Sequence, residues 1–162
     1  MAGSTSKKIV AVRFDREPVQ GFIDPQSFVR PAGLELLTIT GALVTLPHEE
    51  VKAVCFVRDF EPNPSWKMNR AFTNRPKTAG LWLRLHFRDS DTLEGVIAND
   101  LLLIEPLGFA IAPPEAGFQN QKIFVPRAAL TRVQVLGVVG SPLRRRAKRS
   151  KPGEREQLKM FE

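Results

Sequence analysis

The sequence predicts an all-β fold built from two similar units. One observation is the alternation of apolar and polar residues in short segments bounded by turn residues. The alternation is clearest at residues 81–88, where Leu81, Leu83, Leu85 and Phe87 are the apolar positions. Their side chains would face a core, while the intervening ones face away from it. The other observation is that one pattern of residues occurs twice, which indicates a duplicated unit.

The repeated pattern extends through most of each unit. Its separation grows from 73 residues, between Phe14 and Phe87, to 79 residues, between Pro47 and Pro126. Insertions in hairpin loops would produce this drift, because such loops tolerate added residues. The matching segments are Val12-Arg13-Phe14 with Leu85-His86-Phe87, Gly21-Phe22-Ile23 with Gly95-Val96-Ile97, Gly33-Leu34 with Gly108-Phe109, and Leu46-Pro47 with Val125-Pro126.

Each unit is expected to contain five strands and one helical turn. A proline begins the stretches 47–50 and 126–129, and proline favours the first turn of a helix. Five strands with one such turn between the fourth and fifth is the layout of SH3-like and Sm-like small barrels. The predicted strands are 8–14, 18–23, 34–39, 42–46 and 51–57, then 81–88, 92–98, 107–112, 121–125 and 130–138.

The domain organisation follows from these elements and from the charge. We expect a disordered start at 1–7, a first barrel at 8–58, a linker at 59–80, a second barrel at 81–140 and a disordered basic tail at 141–162. Of the net charge of +7, the tail contributes +5 and the rest +2. Trp66, Met68 and Phe72 are expected to pin the linker to a barrel. Since strand closure hides strand edges, the chain is expected to be a monomer.

The candidates for catalysis have simpler interpretations. Cys55 lies in an apolar run, where a thiol stays protonated. His48 is expected to be solvated, and His86 to lie on the polar face of its strand. The sequence predicts no enzyme, no metal site and no cofactor, although ionisable groups paired only by the fold stay open as an alternative. The single cysteine and the absence of an apolar signal or membrane segment favour the cytoplasm, with no membrane partner.

Two groups of basic residues are candidates for nucleic-acid binding. The tail carries six bases that would neutralise phosphates without reading sequence: Arg144, Arg145, Arg146, Lys148, Arg149 and Lys151. On the polar face of one strand, Trp82, Arg84 and Arg88 combine a stacking ring with cations. The alternatives are a solubilising tail and an ordinary solvated strand face.

The last residues of the sequence resemble a known docking peptide. Gln157, Leu158, Met160 and Phe161 match the Gln, first aliphatic, second aliphatic and Phe positions of peptides that bacterial proteins use to bind the replicative DNA sliding clamp. Lys159 and Met160 depart from the residues most common at their positions. The resemblance implies that the clamp is a partner. The alternative is that Met160 and Phe161 fold back onto a barrel.

The body of the chain also resembles a family. The segments that carry the likeness are Val51–Phe60, Gln121–Val125 and Ala129–Val133. They are similar to uncharacterised bacterial domains in which small barrels occur in tandem, sometimes beside cyclic-dinucleotide-binding PilZ proteins. The likeness covers most of residues 8–137 and implies the fold, while the sequence elements of PilZ binding are not found together here.

Two functional hypotheses follow from the sequence. In the first, the protein is an adaptor that docks on the sliding clamp through its last residues while the basic tail touches nucleic acid. In the second, the tandem barrels form a general module that binds protein or RNA, and the tail only solubilises the chain. The second hypothesis predicts that residues 1–140 alone keep the function.

Overall fold

The computed structural model describes residues 6–62, 64, 66, 70–114 and 120–140. Within these ranges the chain forms strands and short 3-10 turns, which confirms the all-β prediction. The strands are β1 (Lys7–Arg13), β2 (Val19–Ile23), β3 (Val29–Arg30), β4 (Gly33–Thr38), β5 (Leu43–Leu46), β6 (Val51–Val57), β7 (Gly80–Phe87), β8 (Thr92–Ile97), β9 (Gly108–Ile111), β10 (Asn120–Pro126) and β11 (Leu130–Val139). The turns are η1 (His48–Glu50), η2 (Leu101–Leu103) and η3 (Arg127–Ala129).

All ten predicted strands are present, and both predicted helical turns appear as η1 and η3. Two elements were not predicted from the sequence. β3 has only two residues and pairs with β4 through Val29 and Leu34, so it is too short to show alternation. η2 follows a turn and carries three consecutive leucines, a run that fits neither strand nor helix periodicity.

The same strand order occurs in both units. In the first unit, β5 pairs with β4, β4 with β2, β2 with β1, and β1 with β6. In the second unit, β11 pairs with β7 and β7 with β8, while β9 pairs with β10. A bridge between Val96 and Ala112 joins β8 to β9. Leaving out β3, each unit therefore runs fourth, third, second, first, fifth strand, in keeping with a duplicated unit.

The two units are joined strand to strand. β10, the fourth strand of the second unit, pairs antiparallel with β6, the fifth strand of the first, with Ile123 opposite Cys55 and Phe124 opposite Val54. One sheet consequently runs through both units in the order β3-β4-β2-β1-β6-β10-β9. The count of closed barrels and the boundaries at 8–58, 59–80 and 81–140 stay predictions.

β1 is buried on both of its faces. Val10 and Val12 point into a core shared with Leu83, Leu85 and other side chains of the second unit. Ile9 and Ala11 point into a second core, which is formed mostly by the first unit and includes Phe124. Because both faces are covered, β1 reads as a continuous apolar run rather than an alternating one. The larger core thus belongs to both units and stabilises their junction.

Gly33 and Gly108 occupy equivalent places at the start of the third strand of each unit. Their φ angles are +153° and +152°, a region that side-chain-bearing residues rarely adopt. A Cβ on Gly33 would overlap the Leu46 carbonyl oxygen, and a Cβ on Gly108 would meet the Val125 carbonyl oxygen. Leu46 and Val125 are themselves equivalent in the sequence repeat. The backbone of the third strand therefore approaches that of the fourth strand closely in both units.

Candidate functional site

A groove of about 720 Å³, lined by aromatic and aliphatic side chains together with polar ones, lies where the two units meet. Phe28 and Phe56 of the first unit line it together with Phe124 of the second. The ring centroids of Phe28 and Phe124 are 5.1 Å apart, and those of Phe28 and Phe56 are 6.3 Å apart, both edge-to-face. The pairing of β10 with β6 places Phe124 and Phe56 on adjacent strands. The groove therefore exists only because the two units are joined.

The wall of the groove on the second unit includes leucines from and near η2. The Asp100 side chain accepts a hydrogen bond from the Leu102 backbone N–H at 3.0 Å and so caps this turn. The turn leaves Leu101, Leu102 and Leu103 exposed by 68%, 87% and 48%, and Leu103 and Leu107 line the groove. Adjacent exposed leucines beside a groove form the kind of surface that binds another protein.

Charged residues border this apolar surface. Lys122 lies on the groove with its ammonium 5.3 Å from the centre of the Phe56 ring, and Glu105 lies on the groove near Leu103. A cation and a carboxylate beside aromatic and aliphatic side chains can orient a bound chain segment. The sequence analysis did not find this site. The available signal was the run Leu101–Ile104 directly after the Asn99-Asp100 turn, where four apolar residues follow a capping aspartate.

An ionic cluster around the buried Lys52 connects the linker to both units. The Lys52 ammonium of β6 donates to Asp89 Oδ2 at 2.7 Å and to Asp91 Oδ2 at 2.8 Å, both in the turn between β7 and β8. From the linker, Trp66 Nε1 donates to Asp91 Oδ2 at 2.8 Å, and the Arg70 guanidinium pairs with Asp91 Oδ1. One carboxylate thus receives hydrogen bonds from the first unit and from two linker residues.

Aromatic rings surround the same ammonium. The Lys52 Nζ lies 5.1 Å from the Phe87 ring centre, 5.3 Å from that of Trp66 and 6.0 Å from that of Phe14. Ring faces attract cations, so these contacts compensate part of the cost of burying the charge. Lys52 is therefore a structural cation that holds the junction together.

Several opposing effects act on the pKa of Asp91. Burial alone would raise it, but the hydrogen bonds from Lys52, Trp66 and Arg70 and from the Thr92 backbone N–H outweigh burial and lower the pKa to about 2. The pKa of a free aspartate is 3.8. The ionised carboxylate consequently stabilises the folded protein at any pH above that value.

We expect acid to weaken the junction through Asp91. Because its pKa is lower in the folded than in the unfolded protein, its contribution is complete above about pH 4 and disappears as the pH falls through about pH 2. The contribution is about 2 kcal/mol. Urea denaturation midpoints measured from about pH 5 to about pH 2 should fall more steeply for the wild type than for Asp91→Asn. Parallel profiles would contradict this assignment.

A known family matches the part of the chain that contains the groove and the Lys52 cluster. Residues 5–137 match the family of unknown function DUF6982. The chain belongs to this family. Both the groove and the Lys52 cluster lie inside the DUF6982 match, whereas residues 141–162 lie outside it. No curated protein and no solved structure matches the chain.

The strand row predicted to bind nucleic acid is engaged within the DUF6982 domain. Trp82 Nε1 donates to Glu94 Oε1 at 3.0 Å, and Arg84 Nη2 donates to Glu94 Oε2 at 3.4 Å. The buried Glu94 also accepts from the Phe72 backbone N–H, and the Phe72 ring packs edge-to-face on Trp82. The predicted pinning of the linker by Trp66 and Phe72 is confirmed, while Met68 lies outside the described residues.

Arg88 also makes contacts inside the domain. Its guanidinium lies 4.1 Å from the centre of the Phe14 ring and donates to the Glu49 backbone carbonyl. Nucleic-acid binding by Trp82, Arg84 and Arg88 stays a prediction. It would require these side chains to exchange their present partners for bases and phosphates.

The residues weighed for catalysis have structural roles in the domain. Burial raises the pKa of the Cys55 thiol to about 12, which confirms that it stays protonated. His86 Nε2 lies 3.3 Å from Gln134 Oε1 on the neighbouring strand. His48 was expected to be solvated, but it is partly buried, and its Nε2–H donates to the Arg30 carbonyl at 2.6 Å.

The tail predictions fall on residues that the structure does not describe. The six tail bases and the four positions of the docking peptide all lie at 141–162, outside the described ranges. Within the described ranges, no three His, Cys, Asp or Glu side chains are grouped so as to hold a metal ion. The part of the chain described contains no helix long and apolar enough to cross a membrane.

Proposed function

We propose that the protein is a non-enzymatic adaptor that holds a protein partner on its DUF6982 domain and reaches the replicative machinery through its tail. The observation that carries the first half is the exposed leucine surface of η2 beside the groove. Burying a leucine side chain contributes about 2 kcal/mol. Three of them would contribute on the order of 5 kcal/mol before the cost of ordering the partner.

The ligand that fits the groove is an extended peptide segment with large apolar side chains. The aromatic rings of Phe28, Phe56 and Phe124 supply apolar contacts, and Leu103 supplies a second wall. Lys122 and Glu105 add a cation and a carboxylate to the lining of the groove, and these charges would favour one direction of the bound segment.

A random peptide library tests this site directly. The full chain should enrich peptides rich in apolar residues, and Leu103→Asp, at an exposed leucine that lines the groove, should weaken their binding by about tenfold or more. Ile39→Asp is the matched control, because Ile39 is also an exposed aliphatic residue but does not line the groove. Failure to enrich such peptides, or equal binding by both variants, would contradict the proposal.

The second half of the proposal concerns residues 157–161. Their pattern supports docking on the bacterial sliding clamp, because Leu158, Met160 and Phe161 offer apolar surface next to a hydrogen-bonding Gln157. The six tail bases would then lie near DNA encircled by the clamp. This function places the protein in the cytoplasm.

Titration of the full chain against purified clamp tests the docking peptide. Gln157→Ala combined with Phe161→Ala should weaken binding by about tenfold or more, since it removes the polar and aromatic anchors. Lys159→Ala is the matched control at the variable position. If each of the six bases neutralises one phosphate, DNA affinity should fall with salt with a logarithmic slope of about −5. Unchanged clamp affinity in the double variant would refute clamp docking.

A further inference from the structure

Two strands lie at the ends of the strand order. β5 pairs with β4, and β11 pairs with β7, and in the described part of the chain neither has a partner on its other side. β5 is the fourth strand of the first unit, and β11 is the fifth strand of the second. These are the same two roles that β10 and β6 have where they join the units.

We infer that β11 of one chain pairs with β5 of a second copy of this chain, repeating the pairing of β6 with β10. The internal junction shows that a fifth and a fourth strand of this unit are complementary. Within one chain of two units, only one fifth strand and one fourth strand pair with each other in this way. The remaining fourth and fifth strands can satisfy each other only between chains.

Exposure of the two outer strands supports this pairing. In β6, Val51, Ala53 and Val54 are buried, and in β10 Ile123 and Phe124 are buried. The equivalent strands leave apolar side chains in water, with Leu43 exposed by 68% and Val135 by 56%. β6 and β10 are paired and bury their apolar side chains, whereas β5 and β11 lack this pairing and expose theirs. Pairing of β5 with β11 between chains would cover the exposed side chains.

The repeat also predicts the register between chains. With the 79-residue separation that relates β5 to β10 and β6 to β11, Leu43 is equivalent to Lys122 and Val135 to Phe56. Lys122 lies opposite Phe56 in the internal junction. Leu43 of one chain would therefore lie opposite Val135 of the next, so that the two exposed apolar residues cover each other.

β5 contains neither the charged residues nor the prolines with which proteins usually block an exposed strand edge. β11 carries one charged residue, Arg132, and irregular pairing with β7 between Val135 and Gly137, so its edge is only partly protected. One end of β11 is partly covered, because Arg75 Nη2 donates to the Val138 carbonyl at 2.6 Å. The open stretch is therefore the part of β11 before Val138, which includes Val135.

This contact joins different surfaces of two identical chains. Each added chain leaves one β5 and one β11 unpaired, so assembly continues until a ring closes or a filament grows. The expectation of a monomer assumed that each unit pairs all of its own strand edges. In the described part of the chain β5 and β11 each keep one unpaired edge, so this assumption no longer supports a monomer.

The mass of the full chain in solution, measured by light scattering over a range of concentrations, tests the inference. We expect oligomers that dissociate on dilution. Leu43→Glu and Val135→Lys should each weaken association by about tenfold or more. Both changes in one chain should restore it, because the introduced carboxylate and ammonium then face each other across the contact. Glu17→Lys, in the exposed turn between β1 and β2, is a charge-changing control.

Other outcomes would overturn the inference. A wild-type monomer at every concentration would do so, including the case in which the chain's own tail protects the amides of β11 from hydrogen exchange. Oligomers that persist in both single variants would assign assembly to another surface. Failure of the double variant to recover would refute the register of Leu43 opposite Val135. Circular dichroism and melting of each variant verify that both positions are tolerated in the folded chain.

Discussion

Gly33→Ala is expected to destabilise the protein by about 3 kcal/mol or more. The backbone of Gly33 has a φ of +153°, and an added Cβ would overlap the Leu46 carbonyl oxygen. Since the overlapping atom belongs to the backbone of β5, it cannot rotate away as a side chain would. Relief would require β4 and β5 to separate where they pair, which disrupts the first unit.

Gly41→Ala is the matched control for this prediction. Gly41 also has a positive φ, +92°, but a Cβ there would have no atom within 4 Å. The change should therefore cost only about 1 kcal/mol, the cost of the backbone conformation. Urea denaturation followed by circular dichroism measures both values. Equal losses of stability in the two variants would show that the approach of β4 to β5 is not the cause.

Lys52→Ala is expected to destabilise the protein by about 2–3 kcal/mol, because it removes two charge-assisted hydrogen bonds while Asp91 keeps Trp66 and Arg70 as partners. The change removes the ammonium that neutralises Asp89 and Asp91, and it leaves the partly buried carboxylate of Asp91 with fewer partners. It also removes the cation from the rings of Trp66 and Phe87. Because the cluster joins β6, the linker and the turn between β7 and β8, the loss should loosen the junction of the units.

Lys8→Ala tests whether burial is what gives Lys52 its importance. Lys8 pairs with Asp59 at 3.8 Å on the surface, where both side chains are well exposed. Pairs of this kind contribute about 0–1 kcal/mol. Denaturation midpoints of the two variants, together with hydrogen exchange of β6 and β10, measure the difference. If Lys52→Ala were as mild as Lys8→Ala, the cluster would not stabilise the junction.

Loosening the junction should also affect the proposed site. The groove is lined by Phe28 and Phe56 of the first unit and by Phe124 of the second, so it depends on the pairing of β6 with β10. A peptide selected on the wild type should consequently stabilise the protein against denaturation.

The strands could be predicted because their sequence signals are local. Alternation in β7, the glycines that begin β4 and β9, and the prolines before η1 and η3 each depend on neighbouring residues. Because the pattern occurs twice, the strands of the unit could be predicted from two separate segments of the sequence. Cys55 was also assigned correctly, since an apolar run around a cysteine implies burial.

The candidate site could not be found in this way. Its aromatic residues come from different units, and only the pairing of β10 with β6 brings Phe124 near Phe28 and Phe56. The partners of Lys52 lie 37 and 39 residues away, and no short pattern links them. The sequence shows that Trp82 and Arg84 point away from the core, but it does not show that both donate hydrogen bonds to Glu94 on the neighbouring strand.

The sequence alone determined that this protein is all-β, that its unit is duplicated and where nearly every strand lies, because hydrophobic period and turn residues act over a few positions. The tertiary structure decided how the units meet, which polar side chains form hydrogen bonds and ion pairs within the domain, and which leucines remain exposed. How the units meet depends on the register between β6 and β10, two strands more than sixty residues apart. Register is selected by the packing of whole faces, which no local pattern encodes.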